Sequence, residues 1–497
     1  MTFGGRVKIL MLFLVIIAAV LFTACSDTTV VKLDPEHPVT LIVWHYYNGP
    51  QKTAFDEAVR EFNETEGYEK GIIVEAVSKN SVNQLAEEIL ASAESDFGSS
   101  ELPNIFGCYG DSASEMLKMD KIVALDDYIK KENIEEYLDS FVTEGKLNTD
   151  HLYIFPIAKS TESIFLNKTD FDKFAAAVAG APYNQTVTYD DLKTWEGIKR
   201  VGNLYNRYTD DLTGDVVGDG LGFFGIDSSA NYLTCGAMQL GYDIAPVENG
   251  KLKTTELNNE IMKRLFDIYY TGTVEGAFVK KSTYASDDIK TGNSIAMLAS
   301  TTGARYFPSE VTLENGTQYP VELMVLPMPV MEGGEPYAIS QGAGMSVIKA
   351  TPEEEYASTL FLLWFTEENR NVNFSIESGY LPVKKTAING DAIKTALDDL
   401  GNDASALGTV AALETGISQI KNYKLCYSNI FDGSIEHRKI LQDSLIEFSN
   451  AARADAVEKI RAGSSLEEIV SKIYSDGIFD TWLTNLENSI KEAVNIN

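Results

Sequence analysis

The sequence has 497 residues, 44% of them hydrophobic, and its 41 Lys and Arg against 73 Asp and Glu give a formal charge of −32 at pH 7. Such an acidic surface repels nucleic acids and anionic lipid headgroups at long range, which argues against a general binder of either. A chain of this length exceeds one ordinary hydrophobic core and predicts two or more lobes.

The N-terminal segment has the order of charged and apolar residues that is typical of an export signal. Arg6 and Lys8 precede an apolar run over residues 9–24, which is short for a membrane span. Cys25 follows where a mature chain would begin, and the segment resembles the lipobox of bacterial lipoproteins, in which this cysteine is acylated, although Phe22 stands where Leu is usual. We predict a signal peptide and a lipid anchor on Cys25. An ordinary signal peptide with an incidental cysteine is the alternative.

From residue 39 onward, short apolar runs alternate with amphipathic segments. Apolar runs predict strands at 39–44, at 71–77 and within 102–111, and apolar residues at helical spacing predict helices at 51–64 and 82–90. Strands and helices of these lengths in this order imply right-handed crossovers and a parallel sheet.

Aromatic and hydrogen-bonding residues follow the first and third of these strands. They are Trp44, His45, Tyr46, Asn48, Tyr109 and Asp111. Ligands of an open parallel sheet bind beyond the carboxyl ends of its strands. Aromatic rings can pack on the C–H face of a sugar while amides and carboxylates bond its hydroxyls. We therefore predict part of a ligand site here; simple core packing of the aromatic residues is the alternative.

Two further strands and a capped helix are predicted in the second half of the chain. Residues 321–329 and 342–349 read as strands, and Thr351 followed by Pro352 and Glu354 is a capping-box pattern that starts a helix. Long C-terminal helices are predicted at 434–462 and 465–494.

The sequence lacks the spacings that mark common catalytic and metal sites. It contains no H-E-x-x-H, no G-x-x-x-x-G-K-[ST] and no G-x-S-x-G. Cys108, Cys235 and Cys426 are odd in number and widely spaced, so we predict buried thiols and not a disulfide framework. The acidic segment 210–220 lacks the Gly and Glu of an EF-hand, which favours a polar turn, with calcium as a minor alternative. We predict no metal, no cofactor and no catalytic residue.

Five stretches, which span most of the chain, carry a resemblance to a known family. They are "LIVWHYYNGPQKTAFDEAVREFNE", "LPNIFGCYGDSASEM", "FPIAKSTESIFLNK", "GNSIAMLASTTGARY" and "SGYLPVKKTA". Together they resemble the extracellular solute-binding proteins of bacterial ABC importers, in the sugar-binding group that includes maltose-binding protein. No stretch is specific alone, and the resemblance depends on their common order.

The resemblance implies a two-lobed α/β fold of the periplasmic-binding-protein type II, in which each lobe is a mainly parallel sheet flanked by helices. The predicted divisions are a lipoprotein signal peptide (1–24), a lipid-anchored linker (25–38), lobe one (39–157 plus 303–377) and lobe two (158–302 plus 378–497). The lobes would close on a solute by hinging where the chain crosses between them, near 155–160, 299–302 and 378–382.

The resemblance also implies which further residues face the cleft. They are Ser160, Thr161, Glu162, Asn231, Tyr232, Ser300, Thr302, Gly303, Arg305, Gly342, Gly344 and Tyr380. Tyr232 would be an aromatic platform, and Gly342 and Gly344 would let the backbone approach the ligand. Arg305 stands where the family often has an aromatic residue, which leaves room for an acidic or phosphorylated ligand. A solvated loop or a packing role is the alternative for each position.

The predicted function is therefore the capture of a sugar or oligosaccharide by an extracytoplasmic, lipid-anchored protein that delivers it to an ABC permease. A binder of glycerol-3-phosphate or glycerophosphodiesters is the first alternative. A secreted carbohydrate-active enzyme that uses two carboxylates is another, although no motif organises such a pair. A surface adhesin or sensor that binds its ligand without an importer is the last.

Overall fold

The computed structural model describes residues 31–95, 100–214, 216–400 and 404–494. These ranges contain two four-stranded sheets, which helices cover, and three two-stranded pairs. The predicted signal peptide, Cys25 and the first part of the linker lie outside the described residues. Within the described ranges, no helix is both long enough and apolar enough to span a membrane.

The strands follow the chain from one sheet to the other and back. They are β1 (Val39–His45), β2 (Ile72–Ser78), β3 (Ile105–Cys108), β4 (Glu162–Asn167), β5 (Phe224–Ile226), β6 (Val247–Glu248), β7 (Lys251–Leu252), β8 (Ala296–Ser300), β9 (Glu310–Thr312), β10 (Gln318–Pro320), β11 (Leu323–Pro327), β12 (Tyr337–Ile339), β13 (Gly344–Val347) and β14 (Lys424–Cys426).

The α-helices connect these strands and form the C-terminal part of the chain. They are α1 (Gly49–Glu64), α2 (Glu66–Lys70), α3 (Val82–Glu94), α4 (Gly110–Lys118), α5 (Lys131–Ile134), α6 (Asp139–Gly145), α7 (Lys168–Val178), α8 (Trp195–Thr213), α9 (Ser229–Gln239), α10 (Asn259–Phe266), α11 (Gly272–Glu275), α12 (Ala285–Lys290), α13 (Pro352–Phe365), α14 (Glu368–Ser378), α15 (Lys385–Asn389), α16 (Ala392–Leu400), α17 (Ala404–Asn422), α18 (Ser434–Arg461), α19 (Leu466–Ser475) and α20 (Ile478–Ala493).

The first sheet has the strand order β13–β3–β1–β2. The pairs β1–β2 and β1–β3 are parallel, as predicted, and β13 runs antiparallel to β3. Helix α1 covers this sheet with Phe55 and Phe62, whose rings pack against Phe361 of α13. The predicted capping box of α13 is confirmed, because Thr351 Oγ1 accepts from the Glu354 N–H and Glu354 Oε2 accepts from the Thr351 N–H.

The second sheet has the order β11–β4–β8–β5 and is mixed. Only β5 and β8 pair in parallel among its described strands, whereas β4 runs antiparallel to both β8 and β11. All six residues of β4 are buried, so this strand needs a hydrogen-bonded neighbour on each side. The apolar run of β11 supplies one of them. The predicted mainly parallel sheet is therefore found in the first lobe but not in the second.

The pairing of β11 also moves a predicted lobe boundary. The sequence analysis assigns residues 303–377 to lobe one, but β11 belongs to the second sheet and the chain rejoins the first sheet only at β13. Residues 303–340 therefore pack with lobe two. After β8 the chain enters a 3₁₀ helix, Thr301–Tyr306, which stays against β4 and β8, so the predicted crossing near 299–302 is not a crossing.

Three chain segments lie side by side where the two sheets meet. Phe155 forms a bridge with Met345, and Ser160 forms one with Gln341, so the outgoing and returning segments are antiparallel neighbours. Lys159 forms a further bridge with Leu381, which follows the end of α14. Two crossings therefore lie at about 155–161 and 340–345, and the second of these replaces the one predicted near 299–302.

The predicted crossing near 378–382 is not a crossing, because Leu138 donates its N–H to the Val383 carbonyl and Lys384 bridges Tyr137, so the chain stays on lobe one. It reaches the second sheet again with α17, which packs on β11.

Candidate functional site

Polar groups of lobe two gather where strands β4 and β8 begin and end beside the crossings. Glu162 opens β4 opposite Ser300 of β8, and Thr301 donates its N–H to the carbonyl oxygen of Thr161 at 2.9 Å. Asn231 lies in the first turn of α9, where Ser228 caps the helix by accepting the Asn231 N–H. These local structures bring Glu162, Ser300 and Asn231 to one face of the sheet, whereas Thr161 and Thr301 lie on the opposite face, where Thr301 packs against α17.

The side-chain amide of Asn231 bonds to a residue of lobe two and to a residue of the returning crossing. Its Nδ2 donates to Glu162 Oε1 at 2.7 Å and to Gln341 Oε1 of the returning crossing at 3.1 Å. Glu162 and Asn231 are 2% and 1% exposed, so neither side chain can exchange these bonds for water. Asn231 therefore joins the floor of lobe two to the crossing strands.

Four buried side-chain oxygens in this region have no hydrogen-bond partner among the described residues. They are Thr161 Oγ1, Glu162 Oε2, Asn231 Oδ1 and Thr301 Oγ1. Leaving a buried polar atom unpaired costs about 1–3 kcal/mol, so such atoms are few in stable proteins. Of these, Glu162 Oε2 and Asn231 Oδ1 lie together, because the two side chains are bonded to each other, and this pair indicates a site whose partner comes from outside the chain.

Tyrosine side chains of lobe one lie at the same junction. The Tyr46 and Tyr380 hydroxyls are 3.1 Å apart, and Tyr47 packs edge-on to Tyr380 at 5.9 Å between ring centroids. Burial raises the pKa of Tyr46, Tyr380 and Tyr109 above the ordinary value. These phenols therefore stay protonated and can each donate and accept one hydrogen bond.

Arg438 is a functional candidate that the sequence analysis missed. It lies in the first turns of α18, and its charge lowers the pKa of both Glu162 and Tyr109, against the larger, opposing effect of burial. Arg438 therefore stands near groups of both lobes. No local pattern could have indicated it, because α18 is more than 200 residues from α9 in sequence and reaches the site through packing of α18 on α9.

A cavity of about 210 Å³ extends beside Arg438 in lobe two. Asp243, Tyr427, Asn429 and His437 contribute to its wall. Burial lowers the pKa of His437 to about 4, so the ring is neutral at pH 7, and its buried Nε2 has no partner in the part of the chain described. The cavity wall thus contains a cation, Arg438, an acid, Asp243, and several neutral hydrogen-bonding groups.

Three predicted aromatic site residues lie in the hydrophobic cores. The Tyr232 hydroxyl donates to the Leu265 carbonyl at 2.9 Å and the ring packs edge-on against Trp195, so it serves the core of lobe two and offers no free face. His45 is fully buried against Phe55, and burial lowers its pKa to about 4. Trp44 is buried under the Lys79 ammonium, which lies 3.7 Å from the ring centroid.

The remaining lobe-one and crossing residues have mainly structural contacts. Asn48 is exposed and donates to the Asn80 carbonyl, and Asp111 accepts the N–H of Ser112 in the first turn of α4. Gly342 and Gly344 pack against the outgoing crossing: a Cβ on Gly342, whose φ is +93°, would lie 2.9 Å from the Ala158 oxygen, and one on Gly344 2.6 Å from the Phe155 oxygen. Glycine fits these two positions because a Cβ would collide with the backbone of the outgoing crossing.

The residues after β8 form part of the contact between the lobes. Ser300 Oγ accepts from the N–H of Thr302 and so caps the 3₁₀ helix. Gly303 packs near Ala299, and Arg305 Nε donates to the Glu377 carbonyl at the end of α14, at 2.8 Å. Ser160 contributes its backbone to the bridge with Gln341. Arg305 therefore spans from lobe two to a lobe-one helix.

The predicted metal and thiol features have simple structural roles. Asp210 Oδ1 accepts the backbone N–H groups of Gly218, Asp219 and Gly220 at 2.7–3.1 Å, so this carboxylate orders the acidic turn. In the described ranges, no group of three or more His, Cys, Asp and Glu side chains could hold a metal ion. The predicted buried thiols are confirmed for Cys108, Cys235 and Cys426.

Comparisons with known proteins point to one family and one fold. The sequence model of the bacterial extracellular solute-binding protein family matches residues 57–399. Among solved structures, the cyclic α-maltosyl-1,6-maltose binding protein of Arthrobacter globiformis is similar at a TM-score of 0.60 and 17% identity, covering 92% of this chain and 100% of that one. No curated protein matches the sequence.

Two further solved structures share the fold. The UgpB protein of Mycobacterium tuberculosis, in complex with glycerophosphocholine, has a TM-score of 0.63 and 17% identity, covering 87% of this chain and 99% of that one. The ABC substrate-binding protein Lmo0181 of Listeria monocytogenes, in complex with cycloalternan, has a TM-score of 0.65 and 13% identity, covering 93% of this chain and 100% of that one.

Proposed function

The chain belongs to the bacterial extracellular solute-binding protein family, and we propose that it captures a carbohydrate outside the cytoplasm and delivers it to an ABC-type permease. Several similar structures carry sugar ligands, including maltotriose in a protein from Bdellovibrio bacteriovorus and cycloalternan in the protein from Listeria monocytogenes. Capture and delivery need no covalent chemistry from the protein.

The pair of unpartnered oxygens at the lobe junction is the observation that carries this proposal. Glu162 Oε2 and Asn231 Oδ1 present two adjacent acceptors on the same face of the sheet. A sugar carries many hydroxyl groups that match such a set. Tyrosine rings and hydroxyls across the junction add apolar surface and further hydrogen bonds.

Lobe closure would couple capture to delivery. Ligand contacts on both lobes favour the closed arrangement by the difference in affinity between closed and open states, and a permease can then recognise the closed shape. The crossings at 155–161 and 340–345 are segments about which the lobes would turn.

We also infer that Cys25 anchors the protein to the cell membrane. The apolar run that ends at Cys25 supports this reading. Each buried acyl methylene contributes about 0.8 kcal/mol, and more than one chain is needed for stable attachment.

A glycerophosphodiester is the second candidate ligand. Arg438 beside the 210 Å³ cavity could pair with a phosphate, which a neutral sugar does not require. The structural similarity to the glycerophosphocholine complex supports keeping this candidate.

A calorimetric titration tests the proposed function. Maltotriose, mannotriose, cycloalternan and glycerophosphocholine would each be titrated into the purified chain without its signal peptide. Saturable binding of a saccharide is expected, and a ligand at a hundred times its Kd should raise the free energy of unfolding by about 2.7 kcal/mol. Binding of glycerophosphocholine alone would favour the second candidate, and hydrolysis of a bound saccharide would contradict a pure binding role.

A further inference from the structure

Only one of the two carboxyl oxygens of Glu162 has a hydrogen-bond partner among the described residues. One oxygen accepts the Asn231 amide at 2.7 Å, while the other is buried and has no partner within the described part of the chain. Beside it, Asn231 Oδ1 is also buried and unpartnered, since both Asn231 donor contacts come from Nδ2. An ionised carboxylate and an amide oxygen can only accept hydrogen bonds.

We propose that Glu162 and Asn231 form an acceptor pair that selects solutes with adjacent hydrogen-bond donors, and that Glu162 releases a proton when such a solute binds. This inference rests on the proposed function, since it concerns the same site. Glu162 is then a specificity-determining residue that is protonated when the site is empty and ionised when a solute is bound.

The surroundings of Glu162 explain why its charge can change. Burial raises the pKa of this carboxyl to about 7, and the Asn231 bond opposes that effect only in part. The titratable and charged groups that face it are Asp227 after β5, Arg438 on α18 and the Cys235 thiol on α9. Asp227 raises the Glu162 pKa and Arg438 lowers it.

The other titratable groups near Glu162 do not account for the released proton. Burial also raises the pKa of Asp227, but Asp227 Oδ1 accepts the Ala285 N–H at 2.8 Å and lies 3.6 Å from the Lys280 ammonium, and both contacts favour its ionised form. Burial keeps the Cys235 thiol protonated by raising its pKa well above the ordinary value. Glu162 is therefore the group whose protonation responds to a donor placed at Oε2.

The direction of the pH effect follows from the hydrogen bonds. A donor from the solute stabilises the ionised carboxylate and lowers its pKa, so binding at or below pH 7 releases a proton. Affinity should therefore fall as the pH drops below 7, by up to about tenfold per pH unit, and level off above 7. A solute that accepts a hydrogen bond from protonated Glu162 would give the opposite dependence.

The first measurement needs no ligand. Wild type, Glu162→Gln and the exposed control Glu467→Gln would be unfolded with urea between pH 4 and 8. The raised pKa means that folded wild type holds a proton that the unfolded chain loses, so wild-type stability should fall relative to Glu162→Gln from about pH 4.5 to 7 and then level off. A constant difference between the two across this range overturns the inference. Glu467→Gln should track wild type.

The second measurement uses maltotriose, mannotriose and glycerophosphocholine as probes. Calorimetry at pH 6 in buffers of different ionisation enthalpy should show release of close to one proton per bound probe by wild type, and none by Glu162→Gln, which should also bind at least tenfold more weakly. Proton uptake, or equal release by the variant, overturns the inference. Failure of all three probes to bind would contradict the proposed function, while the first measurement would still decide the state of Glu162.

Discussion

At the scale of single residues, the consecutive positions Asn231 and Tyr232 of α9 place one side chain at the candidate site and the next in the core. Asn231 bonds to Glu162 and Gln341 at the lobe junction, whereas Tyr232, one position on, bonds to the Leu265 carbonyl in the core. Consecutive helical residues point about 100° apart, so only one of them can face the site.

Tyr232→Phe tests this division. The change removes the hydroxyl that donates to Leu265 and leaves the ring packing, so the free energy of unfolding should fall by about 1 kcal/mol, or more if the carbonyl stays unpaired. Solute affinity should not change, because the ring lies in the core. Urea unfolding and calorimetry measure the two quantities. Weaker binding at unchanged stability would return Tyr232 to the site.

Cys25→Ser tests the proposed anchor. Without the thiol no acyl chain can be attached, so the protein should move from the membrane fraction to the soluble extracytoplasmic fraction. Cell fractionation and mass spectrometry of the N-terminal peptide measure this change, and Cys108→Ser is the control that should leave attachment intact. A wild-type peptide without an acyl mass would show that Cys25 is incidental.

The sequence alone could predict some site residues and not others, for physical reasons. Glu162 and Asn231 lie in stretches that resemble the family, and the structure places them together. Arg438 depends on packing between α18 and α9, which no local pattern contains. Trp44 and His45 follow an apolar strand, and composition cannot tell a ring that faces a ligand from one that faces the core.

At the scale of elements, a buried ion pair joins the outgoing crossing to lobe one and to the returning crossing. Lys159 Nζ donates to Glu144 Oε1 of α6 and to the Gly342 carbonyl, both at 2.8 Å, and Ser340 Oγ donates to Glu144 Oε2 at 3.0 Å. The Lys159 side chain is 4% exposed. This group of contacts fixes two crossings against each other.

Lys159→Met should therefore be strongly destabilising. It leaves the Glu144 carboxylate, which is 16% exposed, without its cation. Breaking a fully buried pair in this way costs about 3–5 kcal/mol, so a loss near the lower end is expected. The control is Lys385→Met, because Lys385 pairs with Asp139 at a site where the two side chains are 37% and 90% exposed, and such pairs contribute about 0–1 kcal/mol. Equal losses in urea unfolding would refute a special role for Lys159.

The predicted elements were more accurate than their assembly. Strands β1 to β3 and helices α1 and α13 lie where periodicity and capping predicted them, because those signals are local. Local signals do not indicate that β11 pairs with β4, or that the chain rejoins the first sheet at β13. Both pairings depend on which strand edge would otherwise lack a hydrogen-bonded neighbour. That requirement appears only when the sheets are assembled.

At the scale of the whole molecule, two polar contacts outside the crossings also join the lobes. Lys118 of α4 pairs with Asp432 before α18 at 2.5 Å, and Arg305 donates to the Glu377 carbonyl. The Lys118 and Asp432 side chains are about half exposed, so their pair contributes little and can break without a large cost. The crossings and the apolar packing of Val372 and Ile376 of α14 against Val410 and Leu413 of α17 join the lobes more firmly than this pair does.

Small-angle scattering with a bridged reference tests closure by solute. In Lys118→Cys/Asp432→Cys, produced without residues 1–25, a short bis-maleimide should link the two thiols and hold the lobes in the observed arrangement, while Cys108, Cys235 and Cys426 stay buried. Unbridged protein should have a larger radius of gyration without solute than the bridged form and should approach it at saturation, because contacts on both lobes favour the closed state. If the unbridged radius already equals that of the bridged form and solute leaves it unchanged, closure is not what the permease recognises.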